Sequence, residues 1–156
     1  MRDIIGRMKD RFKDKAVKFQ ERTGGKQLYI DLKCEDIPLA VKFLFTEMGC
    51  RFITATAIDT PPAIEILYHF SNDSGGEMIN LRAIITDKKK PRIESITPII
   101  KGAEWIEREM WEMLGINFTG HPNLTHLLLI DEWPEGDYPL RHDKAHGHGH
   151  EHKEAV

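Results

Sequence analysis

Cysteine is nearly missing from this chain: two in 156 residues, Cys34 and Cys50, with no Cys-x-x-Cys pair. That excludes a disulfide framework and a zinc ribbon. It also excludes an iron–sulfur cluster held by this chain alone, which ordinarily needs four protein ligands. A reducing cytoplasm is the expected home. No apolar run approaches the ~20 residues that cross a bilayer, and the basic start lacks the apolar stretch of a signal peptide. Membrane association is therefore expected to be peripheral. GxSxG, HExxH, a phosphate-cradling glycine loop and the dinucleotide fingerprint are all absent as well.

What is present suffices for one domain with one core: 40% of residues are apolar. A net charge of -3 gives no general attraction for nucleic acid, and no nucleic-acid partner is expected. The charge is uneven, because the first 22 residues hold eight Lys/Arg against four acids. In that stretch Ile5, Met8, Phe12, Ala16 and Phe19 recur at helical spacing, and Gly24-Gly25 supplies a stop. The pattern predicts a basic amphipathic helix, with residues 1–25 as an N-terminal unit. Its stripe packs on its own domain, on a partner, or on a lipid headgroup layer.

The next unit, residues 26–130, reads as the core domain. "QLYIDLK" alternates as a half-buried strand; Asp36 is placed to cap a helix that carries Pro38 in its first turn and ends near Met48 at Gly49. "RFITATAID", "AIEILYHF" and "EMINLRAIIT" predict three strands, with a basic tip "DKKKP" and a further strand in "RIESITP" completing the sheet. The expected class is α+β: a mixed, largely antiparallel sheet with helices packed on it, followed by an extended C-terminal arm over residues 131–144. Pro134, Gly136 and Pro139 forbid a regular helix in that arm. Residues 145–156 have no apolar pattern and are expected to be a disordered, histidine-rich tail.

The densest chemistry lies in "EREMWEMLGINFTGH", residues 107–121. On a helix, Ala103, Ile106, Met110, Met113 and Leu114 share one arc, which faces the core, and Gly115 suits the left-handed stop. Glu104, Arg108 and Glu112 are spaced by four on the opposite side and predict a salt-bridge ladder. Each border of the apolar arc pairs an indole with a carboxylate: Trp105 with Glu109, and Trp111 with Glu107. Either these indoles pack beneath loops of the same domain, or a partner covers them. Glu107 and Glu109, two residues apart, point to separate faces and cannot easily share a metal ion or a proton. His121 and His126 suit structural or interface roles.

This stretch resembles the signature of the thirty-kilodalton subunit family of respiratory complex I, the NADH dehydrogenase, and of its counterparts in energy-converting membrane-bound [NiFe] hydrogenases. The matched positions are Glu107, Arg108, Glu109, Glu112, Met113, Leu114 and His121. A second block, "EWPEGDYPLRHDK", is similar to the family's Trp–Gly–Pro-Leu-Arg–Asp segment through Trp133, Gly136, Pro139, Leu140, Arg141 and Asp143. Thr125 and Lys144 depart from the family pattern. The resemblance implies a cofactor-free subunit of a peripheral arm, on the cytoplasmic face of the membrane. Its implied partners are a large nickel-type or quinone-site subunit and a small Fe-S subunit, with the membrane arm met indirectly. Fe-S clusters and a Ni-Fe centre are expected in those partners. The shortness past the Leu-Arg segment leans toward the hydrogenase-type complexes, with the matching subunit of an NADH:quinone oxidoreductase as the alternative. The implied partner-binding residues are Trp105, Glu107, Arg108, Glu109, Trp111, His121, Trp133, Arg141 and Asp143, with Arg108 and Arg141 as charged anchors.

Two rival readings come from other classes. His146, His148, His150 and His152, beside His142, can bind nickel or zinc as neutral imidazoles, which would suit a metal-handling protein. A stand-alone hydrolase using Glu107 or His121 would turn over substrate as the purified chain.

Overall fold

The computed structural model describes residues 4–22, 24 and 26–142. Helix α1 (Ile4–Phe12) is followed by strands β1 (Ala16–Arg22) and β2 (Gln27–Leu32). A 3-10 turn (Cys34–Asp36) leads into α2 (Ile37–Lys42), which continues as a π-turn (Phe43–Glu47). Strands β3 (Arg51–Asp59), β4 (Ile64–Asn72) and β5 (Glu77–Ile85) follow, then β6 (Arg92–Glu94), α3 (Glu104–Leu114) and β7 (Asn117–Thr119).

The main sheet has the order β1-β2-β5-β4-β3. All its pairs are antiparallel except β2 with β5, so the sheet is mixed and largely antiparallel, as expected. Period-2 alternation decides which face is buried. In β4, Ile64, Ile66, Tyr68 and Phe70 are sealed, while Glu65, Leu67 and His69 between them are half-buried. Leu28, Ile30, Ile79 and Leu81 from β2 and β5 join the same core, with Met8 and Phe12 of α1, Ile37 and Val41 of α2, and Met110 and Leu114 of α3. The opposite face is polar: Arg82 bridges Asp31 and Glu65, and His69 lies between Asn80 at 2.7 Å and Thr56 at 3.1 Å.

Several expectations change here. The N-terminal helix stops at Phe12, and residues 16–22 form an edge strand instead. A turn at Lys15, whose N–H donates to the Phe12 carbonyl, breaks the stripe. The charged side chains read as a helix's solvent face are those of an edge strand, where charge discourages pairing with other chains. Ile4, Ile5, Met8 and Phe12 bury against the domain, and Phe12 meets Phe43 edge to face. Asp36 makes no cap hydrogen bond; its carboxylate ion-pairs with Lys15. "RIESITP" does not complete the sheet: β6 pairs in parallel with β7 in a separate two-stranded sheet. The histidine-rich tail lies outside the described residues.

Candidate functional site: helix α3 and the segments it holds

Gly115 (φ 73) closes α3, and its N–H donates to the Trp111 carbonyl at 2.8 Å. The chain then returns through β7 and runs back over the helix as an irregular stretch, residues 120–142. Such a stretch has no ladder, so its buried backbone groups need side-chain partners. Helix α3 supplies them.

Glu112 is almost fully buried. Its carboxylate accepts the N–H groups of Leu127 (2.9 Å), Leu128 (2.8 Å) and Leu129 (3.3 Å) and lies 3.3 Å from His126 Nδ1. Burial pushes this carboxyl up, but the three N–H donors and His126 outweigh it and hold it below its ordinary value. One turn away, the Arg108 guanidinium donates to the carbonyls of Thr125 (2.9 Å) and His126. The acid collects the loop's donors and the base its acceptors. The predicted Glu104–Arg108–Glu112 ladder is therefore not formed, because the loop offers both ends better-fixed partners.

Glu107 is sealed and grips the other side. It accepts hydrogen bonds from Ser95 Oγ, the Ile96 N–H (2.8 Å) and Thr97 Oγ1 (2.7 Å). His121 has no exposed side-chain surface, and its Nε2 lies 3.8 Å from Glu107. His121 Nδ1 accepts the Asn123 N–H at 3.0 Å, so Nε2 carries the proton and donates to the Glu104 carbonyl at 3.1 Å. Glu107 and His121, expected at a partner surface, thus face inward and tie β6, α3 and the loop after β7 together. Glu109 points elsewhere, as the spacing required.

Arg141 is likewise an internal anchor. It is buried, donates to the carbonyls of Leu114 (3.2 Å) and Lys88 (2.7 Å), and lies 3.5 Å from Asp59. Asp59 also meets Lys88 Nζ at 2.6 Å and accepts the His142 N–H at 2.8 Å. Burial raises its carboxyl and these cations and the N–H overcome that, leaving it below the ordinary range. The described part of the expected arm, residues 131–142, proceeds by turns, and the Leu140 N–H donates to the Met113 carbonyl at 3.0 Å. Its contact with α3 is close: a Cβ at Gly115 would come within 2.5 Å of the Tyr138 ring.

The remaining residues look outward. Trp105 is 68% exposed, the most open of the large aromatics. Glu109, one turn on, is half-exposed and has no ion-pair partner among the described residues. Trp111 is half-buried against His126, with ring centroids 5.1 Å apart. Trp133 is half-buried, and its indole N–H donates to the Asp137 carbonyl at 2.8 Å. Leu128, Ile130 and Leu140 add exposed apolar surface nearby. Asp143 lies outside the described residues, with His146, His148, His150 and His152. Among the described residues no three His, Cys, Asp or Glu side chains gather as a ligand set, and no helix is long and apolar enough to cross a membrane.

Sequence reasoning missed Ser95, Thr97 and Asp59. The first two were legible only as a strand; the Ser-x-Thr spacing that presents both hydroxyls to one carboxylate was the available signal.

The class so defined is an α+β domain whose acidic helix is tied by its own carboxylates to flanking loops and whose free border is aromatic and acidic. Residues 30–149 match the family described as the 30 Kd subunit of respiratory-chain NADH dehydrogenase. Among curated relatives, the NADH-quinone oxidoreductase C subunit of Citrifermentans bemidjiense is 31% identical over 143 residues, covering 89% of this chain and 86% of that one. Its counterpart of the same name in Ruegeria sp. (strain TM1040) is 36% identical over 123 residues, 75% of this chain, and the match spans only 59% of that relative's length. A chain from the membrane-bound sulfane sulfur reductase, an archaeal respiratory membrane complex, shares the fold with a TM-score of 0.75 at 23% identity, over 89% of this chain and 82% of that one. The chain belongs to the thirty-kilodalton subunit family of respiratory-chain NADH dehydrogenase.

Proposed function

We propose that this chain is a docking subunit in the peripheral arm of a membrane-bound electron-transfer complex related to complex I, and that its own residues position neighbours without carrying electrons. One observation carries the reading. Helix α3 directs Glu107, Arg108 and Glu112 to its own loops yet leaves Trp105 exposed and Glu109 half-exposed on one border. An indole open to water beside an unpaired carboxylate is what a partner with an apolar patch and a cation would bury. The half-buried Trp111 and Trp133 extend that surface. Asp143, just past the described residues, is part of the same proposal.

The neighbours are a large nickel-type or quinone-site subunit and a small Fe-S subunit, at the cytoplasmic face of the membrane. The hydrogenase-type complex is the first reading; the fold is shared with a chain of a respiratory membrane complex named for sulfur reduction and not for NADH. The names of the curated relatives favour the second, an NADH:quinone oxidoreductase. Affinity purification of the native protein decides: nickel in the co-purifying large subunit supports the first, NADH-binding partners the second. A chain that purifies as a lone monomer overturns both. Within the complex, Trp105→Ala should reduce partner recovery by roughly 30-fold or more, the scale of a hot-spot aromatic, without lowering the melting temperature of the isolated chain. Unchanged recovery would remove Trp105 from the surface.

A further inference from the structure

A hollow of about 250 Å³ lies between α3 and β3, lined by residues 54–57 on one side and by Ile106, Glu109 and Met113 on the other. Successive strand residues point to opposite faces, so one hollow can touch four in a row only where it lies along the strand's outer edge, against the backbone itself. β3 ends the five-stranded order and pairs only with β4. Its outer N–H and C=O groups therefore have no strand partner among the described residues. A second hollow of about 310 Å³ shares Ala57, Leu114 and Leu140 with the first and carries the groove on to Ile58 and Asp59. Ile58 and Leu140 along it are 52% and 57% exposed.

We infer that this groove receives an extended segment of a neighbouring protein chain as a sixth strand beside β3. Alternate side chains of that segment are apolar and lie against α3, and a Lys or Arg faces Glu109. The inference rests on the docking function proposed above and names a different contact, made by main chain. Apart from the Ala55 carbonyl, which accepts a 3.3 Å hydrogen bond from Thr54 Oγ1, the row of outer peptide groups is matched in full only by another extended backbone; a docked helix would leave them unsatisfied. The helical wall supplies pockets for every second side chain. Glu109 is the one charged side chain lining the first hollow, and its lack of an ion pair sets the sign of the incoming charge.

Proline scanning tests this directly. Each of Thr54→Pro, Ala55→Pro, Thr56→Pro and Ala57→Pro removes one N–H, and these N–H groups point alternately toward β4 and toward the groove. Two alternate variants should melt well below the parent. The other two should keep its melting temperature and lose about tenfold or more in partner recovery. Full recovery in every variant that folds overturns the added strand while leaving the Trp105 surface standing, since that has its own test. Should all four fail to fold, amide exchange decides. Across residues 54–57 it should be at least about tenfold slower in the native complex than in the isolated chain, with β1 unchanged; equal rates overturn the inference. A doubled solution mass of the isolated chain, abolished by the groove-facing prolines, would replace the partner segment with a second copy of β3 and overturn it too.

Discussion

Glu112 shows most directly how single residues govern this domain. Its depressed carboxyl means the folded protein binds that proton less readily than the unfolded chain, whose ordinary value is 4.5. The sign follows: its contribution to stability is present above that value and is lost as pH falls through the lower folded value. Thermal melts should decline in acid below about pH 4.5, and Glu112→Gln should flatten that decline. The same substitution keeps one accepting oxygen where Leu127 and Leu129 donate but turns an NH2 group toward the Leu128 N–H, and should cost about 1–3 kcal/mol in denaturant titrations at pH 7. Tyr68 predicts the opposite direction. Its ring is fully buried and its hydroxyl has no hydrogen-bond partner among the described residues. Burial first, and then the charge of Glu107, pushes that phenol well above its ordinary range. Tyr68→Phe removes an unsatisfied group without changing the shape of the core, and should be neutral or stabilising by about 1 kcal/mol. A clear loss of stability would show that the hydroxyl has a partner.

At the level of elements, the sequence was legible where a period met a single buried face. Strands β3 to β5 and helix α3 follow from alternation and from the Ile106–Met110–Met113 arc, and Gly115 closes the helix as its position foretold. β1 was not legible, because Ala16 and Phe19 continue the spacing of Met8 and Phe12 by coincidence, and local periodicity cannot see the Lys15 turn or the neighbouring β2. The carboxylates of α3 misled for a related reason. A helical wheel assigns Glu112 and Arg108 to the side away from the core arc, which is correct, but it does not show that residues 125–129 fold over that side. Trp105 was correctly placed at a border, yet exposure depends on what lies beyond the border, and spacing alone left both outcomes open. The close seat of Tyr138 on Gly115 gives an element-scale test. Gly115→Ala forces a side chain into φ 73 and into the Tyr138 ring. It should cost roughly 1–2 kcal/mol and speed proteolysis around residues 131–142, whereas an unchanged digestion pattern would show that this stretch is held elsewhere.

For the whole molecule, the knot of Asp59, Lys88 and Arg141 joins the end of β3, the segment after β5 and the returning C-terminal stretch. Arg141, expected as an anchor toward a partner, is buried and holds groups of its own chain. Arg141→Ala leaves Asp59 and two carbonyls short of a donor and should lower stability of the isolated chain by about 2–4 kcal/mol, read by chemical denaturation. Full stability would show that the stretch closes without it.

The clamp on residues 125–129 has a consequence for how this surface can diversify. Apart from His126, whose ring meets Glu112 and Trp111, Arg108 and Glu112 hold that loop through its main chain, and so impose little on which other side chains it displays. Leu128 and Ile130 are correspondingly open to water. The segment resembles a binding loop mounted on a constant frame: its display can be rewritten by mutation while its path stays the same, so a lineage could retarget this face without renegotiating its fold.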